Sequence, residues 1–343
     1  MAASLLTYRF VERPVRDGNI VTLAQLTRYG GAAAATIVLF AGTAYATHGF
    51  PARLGSEASK ILSTEMARIP SVCAAPVIRL ASGAEACVQG APDAAPSFIF
   101  AGDSHASLMA PALFKTAAAL GLSGYQVTGA GFCPLPGVYA PRQPEFTKSL
   151  PDFQELLARE PTMTRIVLAC YWEMRTSDSP KFRTFDFRDD GYDGSGLAYK
   201  RVSLENGFDR LLAAYPNHSF AILEDVPTGS EFDPSAAARI AHVRGVESIG
   251  ARMGISRQAY EAQLAVTRPI FERLARSPAV RVFPVIDHLC DKTFCSGWRE
   301  GRALYRDDDH LSETGALLLS EVFRGAVQQP VLARGRVDEK TGR

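Results

Sequence analysis

The chain has 343 residues, 47% of them apolar, with 37 basic and 36 acidic side chains and a net charge of +1. That is a globular composition, long enough to bury at least one large core. A near-neutral balance with scattered Lys and Arg offers no long-range attraction for phosphate, so no nucleic-acid partner is expected.

Residues 1–28 form a leader carrying Arg9, Arg13, Arg16 and Arg28. The run "YGGAAAATIVLFAGTAYAT" that follows, from Tyr29, holds no charge at all. A bilayer's hydrocarbon core takes roughly 20 residues at 1.5 Å each. The expected element is therefore a transmembrane helix over 29–48. Excess arginine on its N-terminal side keeps that side cytoplasmic and exports the remainder. An alanine-rich core helix and a signal peptide cleaved near Ala44-Tyr45-Ala46 are the competing readings. The length of the charged leader favours a retained anchor.

Residues 49–96 read as a linker. Within it, "RLGSEASKILSTEMARIP" has the pattern of a short amphipathic helix, and the Pro- and Ala-rich stretch after it has none. From Ser97 a regular alternation begins and continues to about residue 330, leaving 331–343 as a tail. Apolar runs "SFIFAG", "GYQVTG", "RIVLACYW", "SFAILEDV" and "VRVFPVI" read as strands. The helical patterns among them include "ASLMAPALFKTAAALG", "PDFQELLARE", "LENGFDRLLAAYP" and the long "SRQAYEAQLAVTRPIFERLARS". "SETGALLLSEVFRGAVQQ" supplies a last helix. Strands apolar throughout, alternating with amphipathic helices, predict a mainly parallel central sheet in a three-layer α/β/α sandwich. The segment from Arg175 to Lys200, rich in Arg, Asp, Ser and Gly, reads as a long polar loop.

All six cysteines lie beyond the apolar run. An even number on the exported side points to disulfides in an oxidising compartment. Cys73 with Cys87 and Cys290 with Cys295 are the pairs close in sequence, whereas Cys133 and Cys170 stay open. No cysteine pair has histidines at zinc-finger spacing, so no metal site is expected.

The first candidate for chemistry is "FIFAGDSHA", where an apolar strand ends at Gly102 and Asp103, Ser104 and His105 open a helical pattern. Sheets of this kind bind ligands at the carboxyl ends of their strands. A serine there acts as a nucleophile only if a base removes its proton, and the base is commonly a histidine oriented by a carboxylate. Taken alone, "GDSH" is equally an ordinary polar turn. Of the six histidines, His48 borders the apolar run, and His218, His242 and His288 sit in unremarkable surroundings. His105 adjoins the serine and would point elsewhere on a tightly turned backbone. His310 remains, in "LYRDDDHLSETGA", with Asp307 three residues before it and Ser312 as a candidate N-cap after it.

"FAGDSHA" early in an α/β domain and "YRDDDHLSETGA" near its end together resemble the SGNH (GDSL-like) hydrolase family. The resemblance implies Ser104 as nucleophile, His310 as base and Asp307 as orienting acid. It implies an oxyanion hole from the Ser104 N–H and a glycine N–H, with Gly129 or Gly131 of "TGAGFCPLP" as the glycine. The family's third donor is an asparagine, but here the third strand ends in "LACYWEM" and no asparagine is placed for the role. A substitute near Trp172 competes with Trp172 as a packing residue. The serine is not in a G-x-S-x-G elbow, which argues against the α/β-hydrolase fold.

The flanks narrow the resemblance. "YRFVERPVR", residues 8–16, looks like the end of an acyltransferase-3 membrane domain, after which some relatives carry a periplasmic SGNH domain. "LCDKTFCSGWREGRALYRDDDHLS" looks like that subgroup, where a cysteine pair precedes the D-x-x-H block. The implied activity is O-acyl transfer, of acetyl, to a sugar hydroxyl of a surface or periplasmic glycan such as lipopolysaccharide. No cofactor is expected in the SGNH domain. The acetyl group would come from acetyl-CoA through an integral membrane acyltransferase-3 domain, fused upstream or separate. The expected location is the bacterial inner membrane, single-pass, with the catalytic domain in the periplasm. A carbohydrate O-acetyl esterase using the same residues, and a non-catalytic glycan-binding or docking module, are the alternatives.

Overall fold

A computed structural model describes residues 5, 7–13, 22–47, 50, 61, 77–80, 82, 85–182 and 185–328. The chain divides into two compact units, Met1–Ser59 and Lys60–Arg343. In the first, helix α1 (Leu23–Ala46) is opened by a Thr22 capping box, the Thr22 side chain accepting from the Gln25 N–H. Its Thr27–Ala46 stretch is long and apolar enough to cross a membrane, and none of it is buried. The helix begins six residues before the apolar run expected at Tyr29, because capping rather than hydropathy sets its start.

The second unit is built on a seven-stranded sheet. Its strands are β1 (Val77–Arg79), β2 (Glu85–Gly90), β3 (Pro96–Gly102), β4 (Ser123–Thr128), β5 (Arg165–Ala169), β6 (Ser219–Leu223) and β7 (Val280–Phe283), ordered β1-β2-β4-β3-β5-β6-β7. From β4 to β7 every pairing is parallel. Strands β1 and β2 add an antiparallel edge beside β4. Both lie inside the stretch expected as linker. They are short: β1 is a three-residue edge strand, and β2 ("EACVQG") buries only Ala86 and Val88, so neither forms an apolar run.

Alternate residues of the central strands feed opposite cores. Phe98 and Phe100 of β3 join Val167, Ala169, Ala221 and Leu223 on one face. Ile99 and Ala101 join Ile166, Leu168, Phe220 and Ile222 on the other. The strands therefore read as unbroken apolar runs, and helices cover both faces. On the first face lie α2 (Ser104–Ala119) and the C-terminal helix α6 (Ser320–Val327). On the second lie α3 (Ser149–Arg159), α4 (Gly196–Ala214) and α5 (Thr267–Leu274). This is the three-layer arrangement expected.

Two helices differ from the pattern. The long helix expected after Ser256 breaks into Arg257–Gln263 and α5. Pro269 has no N–H for the carbonyl four residues back and its ring crowds that carbonyl, so the helix restarts. Helix α4 begins at Gly196, inside the expected polar loop, because buried Tyr199 and Ser203 extend its packed face.

Close approach of β3 to β5 depends on Gly102. A Cβ there would collide with the Ala169 carbonyl oxygen and lie 2.8 Å from the Ala106 Cβ. Both neighbours are fixed by sheet and helix hydrogen bonds, so Gly102→Ala is expected to cost about 3 kcal/mol or more. A denaturant melt checks this, and an unchanged midpoint would contradict it.

The Cys290–Cys295 disulfide is formed, as expected. Cys87 is disulfide-bonded, and Cys73, its expected partner, lies outside the described residues. The tail at 331–343 and the amphipathic stretch before Pro70, apart from Ile61, also lie outside them. Cys133 pairs with Cys170 across 37 residues. This bond closes a loop worth about 4 kcal/mol in the chain-entropy account.

Candidate active site

The strand-to-helix turn after β3 is held by Asp103. It caps α2, its Oδ1 accepting from the His105 N–H at 3.0 Å. Its Oδ2 accepts from the Tyr171 N–H at 2.7 Å, tying the Ser104 turn to the end of β5. Ser104, the first helical residue, is thereby held at the carboxyl edge of the sheet.

Opposite it stands the loop before the last helices. The Asp307 Oδ1 accepts from the backbone N–H of Asp309 at 3.1 Å and of His310 at 2.7 Å, which folds "DDDH" into a tight turn. The Arg306 N–H closes that turn on the His310 carbonyl at 3.0 Å. The result aims both ring nitrogens of His310. Nδ1 lies 2.8 Å from the Asp307 Oδ2, and Nε2 lies 2.7 Å from the Ser104 Oγ. Ionised carboxylates only accept, so Nδ1 carries the proton and Nε2 of the neutral ring accepts from the serine hydroxyl. Ser104, His310 and Asp307 are thus brought together across 206 residues of sequence.

A second carboxylate was not foreseen. Asp309 Oδ1 also lies 2.8 Å from the His310 Nδ1, and its side chain is far less exposed than that of Asp307, 12% against 43%. The Asp309 Oδ2 takes Lys181 Nζ at 3.0 Å, and Asp308 takes the same ammonium at 2.8 Å. Lys181 comes from the segment read as a polar loop, which is therefore fastened to the histidine turn.

These charges set the protonation states. Burial pulls the His310 imidazolium down, but hydrogen bonds and charge from Asp307 and Asp309 outweigh it and push its pKa up to about 10. Burial alone would raise both carboxyls, yet His310 holds each below the usual carboxylate range. His105 behaves oppositely. Burial, aided by the charge of His310, lowers it to about 4 against the pull of Asp103.

His105 does not point away. Its ring centroid lies 4.8 Å from that of His310 and 4.3 Å from that of Tyr171, because the helix starts at Ser104 without the sharp elbow that would turn the next side chain aside.

Residues 73–325 match the family described as "SGNH domain (fused to AT3 domains)". The chain belongs to that family. No curated protein matches it. Among solved structures it is similar to the periplasmic domain of a Salmonella ser. Paratyphi A lipopolysaccharide acetyltransferase, at 13% identity and TM-score 0.44 over 67% of this chain and 83% of that one. It is also similar to the C-terminal catalytic domain of Streptococcus pneumoniae peptidoglycan O-acetyltransferase A with a methylsulfonyl adduct. There the identity is 12% and the TM-score 0.34, over 69% of this chain and 98% of that one.

In this SGNH domain the two candidate oxyanion glycines separate. The Gly129 N–H donates to the Gly102 carbonyl at 3.2 Å, so it is already engaged. Gly131 has φ +61, and a Cβ there would run into the Phe146 ring. Its carbonyl accepts from the Arg175 Nη2 at 2.7 Å. Arg175, 4% exposed, also lies 3.5 Å from the Asp103 Oδ2 and stacks on Phe187, with its Cζ 4.8 Å from the ring centroid. Arg175 and the Cys133–Cys170 disulfide hold the glycine loop from two sides.

Trp172 itself does not stand in for the family's asparagine. Trp172 is fully buried, its N–H donating to the Asp225 Oδ1 and its ring Nε1 to the Leu223 carbonyl, both at 2.8 Å. It is a packing residue. Arg175 and Asp309 had no legible signal: one opens a polar segment, and the other is the middle of no motif.

Proposed function

We propose that this SGNH domain transfers an acyl group, acetyl, to a sugar hydroxyl of a surface or periplasmic glycan through an acyl-Ser104 intermediate. The observation that carries the reading is the continuous line from Ser104 Oγ through His310, 2.7 Å on one side and 2.8 Å from carboxylate on the other. In the first step the His310 Nε2 takes the Ser104 proton while Oγ attacks the acyl carbonyl. The negative oxygen of the tetrahedral intermediate is met by the N–H groups of Ser104 and Gly131. Collapse expels the donor's leaving group, which takes the proton from His310. A sugar hydroxyl then gives its proton to His310 and attacks the acyl-serine, and Ser104 leaves, taking that proton back from His310. Asp307 and Asp309 hold the imidazole in its Nδ1–H tautomer and stabilise the imidazolium formed.

Two donors rather than three make a weaker hole, since losing one costs ~10²–10³ in rate. Slow hydrolysis follows, and so does dependence on a bound acceptor. In the same reading α1 spans the inner membrane, residues 1–28 stay cytoplasmic and the domain lies in the periplasm, where its disulfides persist. The acyl group reaches it from acetyl-CoA through an acyltransferase-3 membrane domain.

The full chain is given an activated acetyl ester with and without glycan, and acetate release is compared with acetylated glycan. Transfer exceeding hydrolysis supports the proposal. Acetate release indifferent to glycan makes the protein an esterase. Glycan binding without turnover, unchanged in Ser104→Ala, makes it a docking module, the reading that the missing third donor favours.

A further inference from the structure

His105 is left without work by this mechanism. It is 3% exposed, one residue from the nucleophile, and its Nε2 has no hydrogen-bond partner. Leaving such an atom buried and unpaired is destabilising unless something binds it. One ligand atom each of His105, Asp309 and His310 lie within 4.8 Å of one another. Two imidazoles and one carboxylate form a donor set suited to zinc, with three protein ligands leaving an open position.

We propose that a zinc-class divalent ion binds His105, His310 and Asp309 and so switches the Ser104–His310 pair off. Zinc with ligands at ~2.0–2.1 Å holds its ligand atoms ~3.4 Å apart, so the cluster needs to close by up to ~1.4 Å. Asp309 offers Oδ1, which faces His310, while Oδ2 keeps Lys181. Asp103 and Asp307 add negative charge around His105. The fourth position falls to the Ser104 hydroxyl or water. Inhibition follows whichever nitrogen of His310 is taken. Metal at Nε2 replaces Ser104, and metal at Nδ1 replaces the carboxylates. Coordination displaces a proton from His310 to solvent, and no electron is transferred.

Binding stands apart from the acyl-transfer reading, whereas inhibition rests on it, and the experiment keeps the two separate. Tag-free, chelator-stripped full chain in detergent is titrated with Co²⁺ and followed by its visible d–d absorption, then with Zn²⁺ in competition. A saturable single site is expected. Loss of an outer partner alone weakens metal sites ~10–100-fold, so His105→Gln and Asp309→Asn should each weaken this one at least as much. Zn²⁺ should suppress ester turnover of the native chain, chelator should restore it, and His105→Gln should escape suppression. Circular dichroism reports whether each variant folds, and Asp309→Asn, on the loop, serves if the buried histidine cannot be changed. No saturable Co²⁺ band, or native affinity in both variants, overturns the site. Absent turnover with intact binding overturns the acyl-transfer reading and leaves the site standing.

Discussion

Ser104→Ala is expected to lower turnover of an activated acetyl ester on the order of 10⁶-fold, to background, while leaving the fold intact. Triad nucleophiles work as a unit with their base, so removing either removes nearly all the gain. The capping acceptor of α2 is Asp103, not Ser104, and alanine is a good residue for a first helical turn. Thermal melting should therefore stay close to that of the native chain. A large activity loss with an unchanged melt assigns the hydroxyl to chemistry, whereas a native rate removes it from the mechanism.

The second large effect concerns the paired carboxylates. In a triad with one acid, changing it to the amide costs about 10⁴ in rate by favouring the wrong tautomer. Here Asp307 and Asp309 both reach the same nitrogen. Asp307→Asn and Asp309→Asn are each expected to fall well short of that loss, and the double variant to approach it. Such non-additivity marks residues sharing one interaction. The pH profile carries the sign. The base must be neutral to accept the serine proton, and the two carboxylates push the imidazolium up to about 10. The rate should rise with pH across neutrality into the alkaline range. Removing one carboxylate lowers that pKa, so Asp309→Asn should begin its rise at lower pH. If rate and profile both stay native, Asp309 merely anchors Lys181.

The fold was largely legible because physical pattern carried it. Strands β3, β5 and β6 bury both faces and so read as unbroken apolar runs. The Ser104 and His310 blocks were legible as a pair, although neither was decisive alone. What escaped depends on geometry absent from local sequence. Three consecutive aspartates look alike until a turn on the Asp307 carboxylate aims them, and the lysine that holds Asp309 lies 128 residues away. Cys170 reads as a core residue in "IVLACYW", and nothing in that run marks its bond to Cys133. The strands β1 and β2 read as linker because β1 is a three-residue edge strand and β2, though paired on both sides, buries only Ala86 and Val88. His105 was set aside on the assumption of a tight elbow, but a helix starting at Ser104 turns its ring toward His310 instead.

The central claim, that Ser104 carries the acyl group, is tested most directly by mass. The full chain is incubated briefly with an activated acetyl ester, quenched in acid, digested and mapped. The mass of one acetyl group on the peptide containing Ser104, absent from Ser104→Ala and suppressed in His310→Ala, is the predicted result. Acetyl on another residue, with Ser104→Ala labelled as strongly as the native chain, would contradict it.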